Sequence, residues 1–366
     1  MAPKVGISLM LEDSFQPALE QLTIEAIEWS MDQGWAPDFS ERCVLPKHVQ
    51  KLLEEYSAKG CLWGHGVHLS PGGKDELQSA WFARFAEECA EFKFQAVTEH
   101  FGFMRTEDML RGAPLPLPPC SAAVDTLSHN LTQMQKIYDG PIGLENLALA
   151  FSKDDCYGQA EVISRALEQV NGCLVLDLHN LYCQCVNYGL AWAELIHHYP
   201  LDRVKIIHVS GGSVTTLGGR KFRRDTHDGP IPEDVFTMLQ TVLPSVPNLE
   251  VVFFEHLGHA LDTPDKISGH LRDYRRVFDI VHGVTDHAPL VNTPQRSSFT
   301  IIELTPKEYE NYQIWLIRVL TAESLGTMKN EILILPSGLQ SYVGGFDIMA
   351  VAIAQKISHK WVVFKP

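Results

Sequence analysis

The chain has 366 residues, of which 45% are hydrophobic and 20% charged, and its formal net charge is −15. These proportions exclude global disorder, and the acidic balance argues against a nucleic-acid surface, which needs a local excess of Lys and Arg to meet phosphates. The length exceeds one average domain and suits a barrel of about 250 residues with an appendage.

The opening MAPKVGISLM lacks the apolar core of a signal peptide, and no run approaches the roughly 18 apolar residues of a membrane span. The expectation is a soluble cytoplasmic protein with no membrane contact. Cys43, Cys61, Cys89, Cys120, Cys156, Cys173, Cys183 and Cys185 include no CxxC and sit mostly in or beside apolar runs. They are expected to be reduced and buried.

From residue 5 to about 282, short β-rich apolar runs alternate with amphipathic stretches, the signature of βα units and a parallel sheet. Eight runs are read, at approximately 5–10, 25–30, 61–69, 96–102, 142–147, 173–180, 204–211 and 250–257, the second being the weakest. Between them, LPKHVQKLLEEYSAKG has helical spacing with Gly60 placed to stop it. SAAVDTLSHNLTQMQKIYDG repeats the scheme, with Ser121 as its cap and Asp139 and Gly140 as its break. Eight strand–helix units predict an α/β fold, a closed (β/α)8 TIM barrel.

Around residue 283 the composition changes, and GVTDHAPLVNTPQRSS reads as a linker. Beyond it come SFTIIELT, a helix-like TPKEYENYQIWLIRVLTAESLG, EILILP, a helix-like DIMAVAIAQKI and KWVVFKP. The expected organisation is a barrel at 1–282, a linker at 283–296 and a small α+β module at 297–366, too short to stand alone.

Barrels of this kind present reactive groups at the C-terminal ends of their strands. Here those ends carry metal-ligand residues: His65 in CLWGHGVHL, His100 in AVTEHF, Glu145 in IGLENL, Asp177 and Asn180 in CLVLDLHN, His208 in VKIIHV, and Glu255 in VVFFEH. A DTHD loop adds Asp225 and His227. Burying so many charges without cations would cost roughly several kcal/mol each. Imidazole, carboxylate and amide donors without thiolate favour Fe, Mn or Zn and exclude a Cys-type structural zinc site. The donors outnumber the needs of one ion, so two or three ions sharing a bridging carboxylate are expected.

His68 and His179 are read as lining a substrate pocket or supporting the ligands. His256 and His259 follow Glu255, and strand alternation turns His256 away from the mouth if Glu255 points in. Cys183 and Cys185 form a CxC without a partner motif and read as ordinary loop or helix-start cysteines. GGSVTTLGGR at 211–220 lacks the Lys-Ser/Thr ending of a phosphate loop and reads as a flexible loop over the metal site. KFRRDTH at 221–227 is the one compact basic stretch and reads as a solvated loop.

With HGVHLS, TEHF, ENL, DLHNLY, IHVSGG, DTHD and the late-strand Glu in this order, the chain resembles the multinuclear non-haem iron-dependent oxidative enzymes over roughly residues 5–282. The resemblance implies an oxidoreductase that uses dioxygen to rearrange or cleave a residue, frequently a cysteine, in a ribosomally made precursor peptide. A small companion protein often presents that peptide. It further implies two or three irons of mixed Fe(II)/Fe(III) state, with His65, His100, Glu145, Asp177, His208 and Glu255 as the catalytic centre. One iron would be held by Glu145, Asp177, His208 and Glu255, and a second by His65, His100 and the bridging Glu145. Asn180, Asp225 and His227 match a third site.

Two departures stand out. The family commonly has Asn where His179 stands, and an acidic–Asn pair on its second strand that EWSMDQGW does not clearly reproduce. The competing reading is a xylose-isomerase-like divalent-metal barrel, acting as a sugar isomerase or as a phosphodiesterase on abasic DNA. It shares the same kinds of strand-end ligand. A peptide-binding protein with a decayed metal site would show missing ligands, and every core position here is filled by a competent residue.

Overall fold

The computed structural model describes residues 2–9, 21–74, 76, 78–106, 109–283, 299–322, 332–361 and 363–364. Eight parallel strands close into a barrel in the order β1 (Lys4–Leu9), β11 (Val251–Phe254), β8 (Val204–Val209), β7 (Cys173–Asp177), β6 (Ile142–Glu145), β4 (Val97–His100), β3 (Leu62–Gly66) and β2 (Ala26–Trp29). These are the eight runs read from the sequence, the first shifted by one residue and the other seven trimmed by one to several.

Side chains alternate across each strand, and this divides the barrel chemically. Ile7, Ile27, Trp29, Val97, Leu144, Leu174, Ile207 and Phe254 belong to the large buried core that includes the helices. Ala26, Trp63, Ala96, Val175, Ile206, Val251 and Phe253 form a separate buried cluster. Two residues beyond members of this second cluster, on the same strand faces, come Glu28, His65, Asp177, His208 and Glu255. An apolar plug therefore fills the barrel, and the polar ligand types cap it at the C-terminal end of the strands.

The helices between the strands are α1 (Lys47–Ala58), α2 (Ser79–Glu91), α3 (Ser121–Ile137), α4 (Lys153–Val170), α5 (Leu178–Tyr188), α6 (Glu233–Val242) and α7 (Pro264–Gly283). Gly60, just past α1, has φ of 66°, as its stop role requires. The cap of α3 corrects the reading of Ser121: the N-cap is Cys120, whose sulfur accepts from the Ala123 N–H at 3.4 Å. At DLHN the strand ends earlier than read, because Asp177 is the N-cap of α5 and its carboxylate accepts from the Asn180 N–H at 2.6 Å.

Between β8 and α6 the GGSVTTLGGR segment is a hairpin where a flexible loop was expected. Strands β9 (Val214–Leu217) and β10 (Arg220–Arg223) pair antiparallel. They are joined by Gly218 and Gly219 at φ of 57° and 81°, the positive values a two-residue turn of this kind needs. The KFRRDTH arginines are engaged: Arg223 bonds His179 and Arg224 bonds Thr215.

The linker reading at 283–296 falls, apart from Gly283 at the end of α7, outside the described residues. The described part of 297–366 carries three helices, α8 (Pro306–Thr321), α9 (Ser337–Gly344) and α10 (Ile348–Trp361). EILILP contributes a short 3-10 turn at Ile332–Ile334, and the SFTIIELT run keeps a single bridge, from Ile302 to Cys120. The two-residue β12 (Val363–Phe364) pairs outside the module with β5 (Met109–Arg111). Thr305 and Glu308 form a reciprocal capping box at the start of α8.

These helices lie against the barrel. Tyr309 and Gln313 both donate to the Gly72 carbonyl, Tyr342 donates to Asp155 at 2.6 Å, and Phe346 stacks on Phe151. The cysteines are all free, and five are buried, but Cys43 is exposed because it precedes α1 in a surface loop. Among the described residues no helix is long and apolar enough to cross a membrane.

Candidate metal centre

Barrel register brings the strand-end residues together. His100 is level with Glu145, and Asp177 with His208. Two sets of donor atoms lie mutually within 4.8 Å: His65, His100 and Glu145, and Glu145, Asp177, His208 and Glu255. Glu145 belongs to both. Its Oε2 lies 3.0 Å from His65 Nε2, 3.7 Å from His100 Nε2 and 3.6 Å from His208 Nδ1. His208 Nδ1 is also 3.4 Å from Glu255 Oε2.

Each histidine has its other ring nitrogen tied away from this focus. His65 Nδ1 meets the Thr98 hydroxyl at 2.8 Å, His100 Nδ1 meets the Gly66 carbonyl at 3.3 Å, and His208 Nε2 meets Glu28 at 2.9 Å. This is how metal-binding imidazoles are oriented, with one nitrogen anchored and the other left with a free lone pair.

The donor atoms fit a cation better than they fit one another. His65 Nε2, Glu145 Oε2, Asp177 Oδ2, Asn180 Oδ1 and His208 Nδ1 are buried and have no partner in hydrogen-bonding geometry. Clustered orphans of this kind are rare in folded proteins. Burial pushes the Asp177 carboxyl well above the usual range, and Asp225, Glu145 and Glu255 push it further. For His208, burial disfavours the charged form, but Glu255, Glu28 and Glu145 outweigh it and raise the ring well above its ordinary value. Such a concentration of negative charge calls for a positive partner, which divalent ions supply.

Asn180, Asp225 and His227 are arranged differently. Asn180 donates to Glu145 Oε1 at 3.0 Å and to the Asn146 carbonyl at 2.9 Å. Asp225 meets His227 Nε2 at 2.9 Å through one oxygen and His179 Nδ1 at 2.9 Å through the other. Burial opposes charge on His227, but Asp225 and Glu255 raise it to about 10. His227 has φ of 50°, a left-handed conformation that costs a non-glycine residue about 1 kcal/mol or more. His100, Asp225 and His227 are also partly exposed, with side chains at 21%, 20% and 17%. They mark the open side of the site.

Among the weaker candidates, His179 is fully buried between Asp225, Ser210 and Arg223. Cys183 lies one helical turn further on, 3.8 Å from His179 Nε2, and both cysteines of the CxC are within α5. His68 bonds Asp32 through Nδ1 at 3.2 Å. His256 packs against Phe254 and His270, on the helix side of the barrel, and His259 is exposed.

Four supporting residues were not singled out from the sequence. Glu28 and Asp32 both come from EWSMDQGW, and Asp32 accepts from the N–H groups of Val67 and His68 and from Trp81 Nε1. Asn146 holds the end of β7, donating to the Asp177 carbonyl and accepting its N–H. Thr98 anchors His65. A lone carboxylate in the otherwise apolar AIEW was the available signal for Glu28; nothing local marks Thr98.

A family model described as RiPP precursor modification enzyme MbnB/TglH/ChrH matches residues 19–256. The chain is 28% identical over 229 residues to a UPF0276 protein of Streptomyces avermitilis, an alignment covering 59% of this chain and 45% of that one. It is 26% identical over 203 residues to a UPF0276 protein of Rhizobium meliloti, covering 54% and 64%, and 26% identical over 247 residues to one of Acinetobacter baylyi, covering 66% and 80%. The chain thus spans between about half and under two thirds of the length of the first two relatives. Among solved structures it is similar to the IOLI protein with a binding zinc atom, at 16% identity and a TM-score of 0.48, covering 78% of this chain and 100% of that one. An L-ribulose 3-epimerase is similar at 11% identity and a TM-score of 0.45, covering 76% and 94%. All nine ligand-type residues lie within the family match, which takes in more than half of the chain, and the chain belongs to the family of RiPP precursor modification enzymes MbnB/TglH/ChrH.

Proposed function

We propose that this protein is an iron-dependent oxidoreductase that uses dioxygen to modify a residue, in our reading a cysteine, of a ribosomally synthesised precursor peptide. The observation that carries it is Glu145 Oε2, faced by one nitrogen from each of three histidines whose other nitrogens are anchored elsewhere. In this reading Glu145 would help to hold two ions, one with His65 and His100, the other with Asp177, His208 and Glu255. Asn180, Asp225 and His227 would hold a third ion on the open side.

Bound iron would supply Lewis acidity toward a substrate thiol and the electrons that dioxygen needs. The protein's own contribution is positional. Thr98, Gly66 and Glu28 fix three imidazoles, Asn146 fixes the end of β7, and the apolar plug of Trp63, Ile206 and Phe253 closes the floor. The peptide would enter past His100, Asp225 and His227. Holding both reactants beside one another replaces a bimolecular encounter. A small companion protein that presents the peptide is part of this proposal.

The test is metal analysis with Mössbauer spectroscopy on protein purified without air from iron-fed cells, followed by mass spectrometry of a cysteine-containing precursor peptide after exposure to oxygen. Two or more irons per chain, some mixed-valent, and an oxygen-dependent mass change are expected. Stoichiometric zinc or manganese with little iron would defeat the oxidative reading and favour a divalent-metal isomerase or phosphodiesterase.

A further inference from the structure

Of the three histidines facing Glu145, two are anchored by neutral groups, the Thr98 hydroxyl and the Gly66 carbonyl. His208 alone is anchored by a carboxylate. Glu28 Oε1 lies 2.9 Å from His208 Nε2, with both side chains fully buried. Glu28 is not one of the clustered donors, since it is spent on the far side of the ring.

Glu28 is itself held. Ser8 is its cross-strand neighbour in the β1–β2 register, and the Ser8 hydroxyl donates to Glu28 Oε2 at 2.5 Å. The same hydroxyl is 3.4 Å from Glu255 Oε1. Strands β2, β1, β11 and β8 follow one another around the barrel, so Glu28, Ser8, Glu255 and His208 form a continuous polar belt across four neighbouring strands. Two of its members belong to the Glu145–Asp177–His208–Glu255 set. None belongs to the His65–His100–Glu145 set.

A neutral imidazole carries one proton, and an ionised carboxylate can only accept. With an ion taking the lone pair of Nδ1, the atom that points at Glu145 and Glu255, the one remaining ring proton is on Nε2, where Glu28 accepts it. The negative charge behind the ring also makes that lone pair a better donor. We infer that Glu28, braced by Ser8, is a positioning residue that sets the His208 tautomer and thereby governs ion affinity at one of the two neighbouring positions and not at the other. The inference rests on the metal-centre reading above.

The test is titration of the metal-free, full-length chain with Zn²⁺ against a chromophoric chelator, with ¹⁵N-histidine NMR of the zinc-loaded protein reporting ring tautomers. The wild type is expected to show two affinity classes. Glu28→Met keeps side-chain bulk but removes the acceptor, and should weaken one class by about 10- to 100-fold while sparing the other and losing the Nε2–H tautomer of His208. Glu28→Gln keeps an acceptor oxygen and should retain both. Ser8→Ala removes only the brace, and should weaken the same class by several-fold even if Glu28→Met does not fold. A packing role predicts no difference between the two Glu28 variants, with Met tolerated as well as Gln. Unchanged classes in Glu28→Met or Ser8→Ala, or equal weakening of both classes, would overturn the inference alone. A wild type that binds no ion would overturn the metal-centre reading along with it.

Discussion

Asp32 accepts the indole N–H of Trp81 at 2.8 Å in a site where neither side chain meets solvent. The same carboxylate takes the N–H groups of Val67 at 3.0 Å and His68 at 2.9 Å. One residue from the loop after β2 thus pins the turn after β3, the strand that presents His65, to α2 behind it.

That arrangement fixes a pH dependence. Burial would raise the Asp32 pKa, but His68, Trp81 and Val67 outweigh it and lower the group from 3.8 to about 2. A depressed carboxylate contributes stability that is fully present above its unfolded value and is lost as pH falls through the folded one, here between about 4 and 2. The contribution is about 2 kcal/mol. Asp32→Asn should lose about that much at pH 7 and lose less than the wild type between pH 4 and 3, as read by urea unfolding of metal-free protein. Parallel pH curves for the two proteins would refute the assignment.

The shared Oε2 of Glu145 makes a second prediction. Glu145→Gln should cripple two ion positions at once, whereas His227→Ala should affect the third alone. Metal content of both variants after identical purification decides this, and equal losses would sink the bridging role.

Gly66 stands where a side chain would land on the buried Glu99 carboxylate, and its carbonyl anchors His100. Gly66→Ala should therefore cost about 1–3 kcal/mol through overpacking and lower ion affinity at the His65–His100 position. A thermal melt with and without Zn²⁺ reads both effects. A variant as stable as the wild type, with unchanged zinc affinity, would show that β4 yields at no cost.

Asp347 links the C-terminal helices to the hairpin beside the site. It pairs with Arg220, its N–H donates to the Phe151 carbonyl at 2.6 Å, and Arg220 in turn donates to the Asn187 carbonyl at 2.6 Å. The ion pair is partly exposed, so Asp347→Ala should cost only about 1 kcal/mol. Its sharper signature should be faster amide hydrogen exchange across 214–223. Unchanged exchange there would mean that Asn187, which bonds both the N–H and the carbonyl of Arg223, holds the hairpin alone.

The eight barrel strands and the ends on which the ligand-type residues sit were legible because both are local properties. An apolar run flanked by turn residues marks a strand, and alternation then decides which of its residues share a face. His65, Glu145, Asp177, His208 and Glu255 could be grouped without coordinates for this reason. So could the outward turn of His256 relative to Glu255.

Other features needed the closed barrel. Glu28 and His208 are 180 residues apart, and their meeting depends on ring closure placing β2 three strands from β8. Asp32 meets the turn after β3 and Trp81 of α2 across 35 and 49 residues of sequence. The early start of α5 came from the Asp177 carboxylate serving as a cap, a competition between ligand and cap roles that composition does not reveal. The GGSVTTLGGR hairpin was misread as a loop because its glycines are turn residues flanked by short, largely exposed or half-buried strands in which Phe222 alone is fully buried. The sequence by itself determined which side chains could reach the mouth of the barrel, since strand period is set residue by residue. Only the tertiary structure decided which nitrogen each histidine presents there, since that depends on partners brought up by other strands.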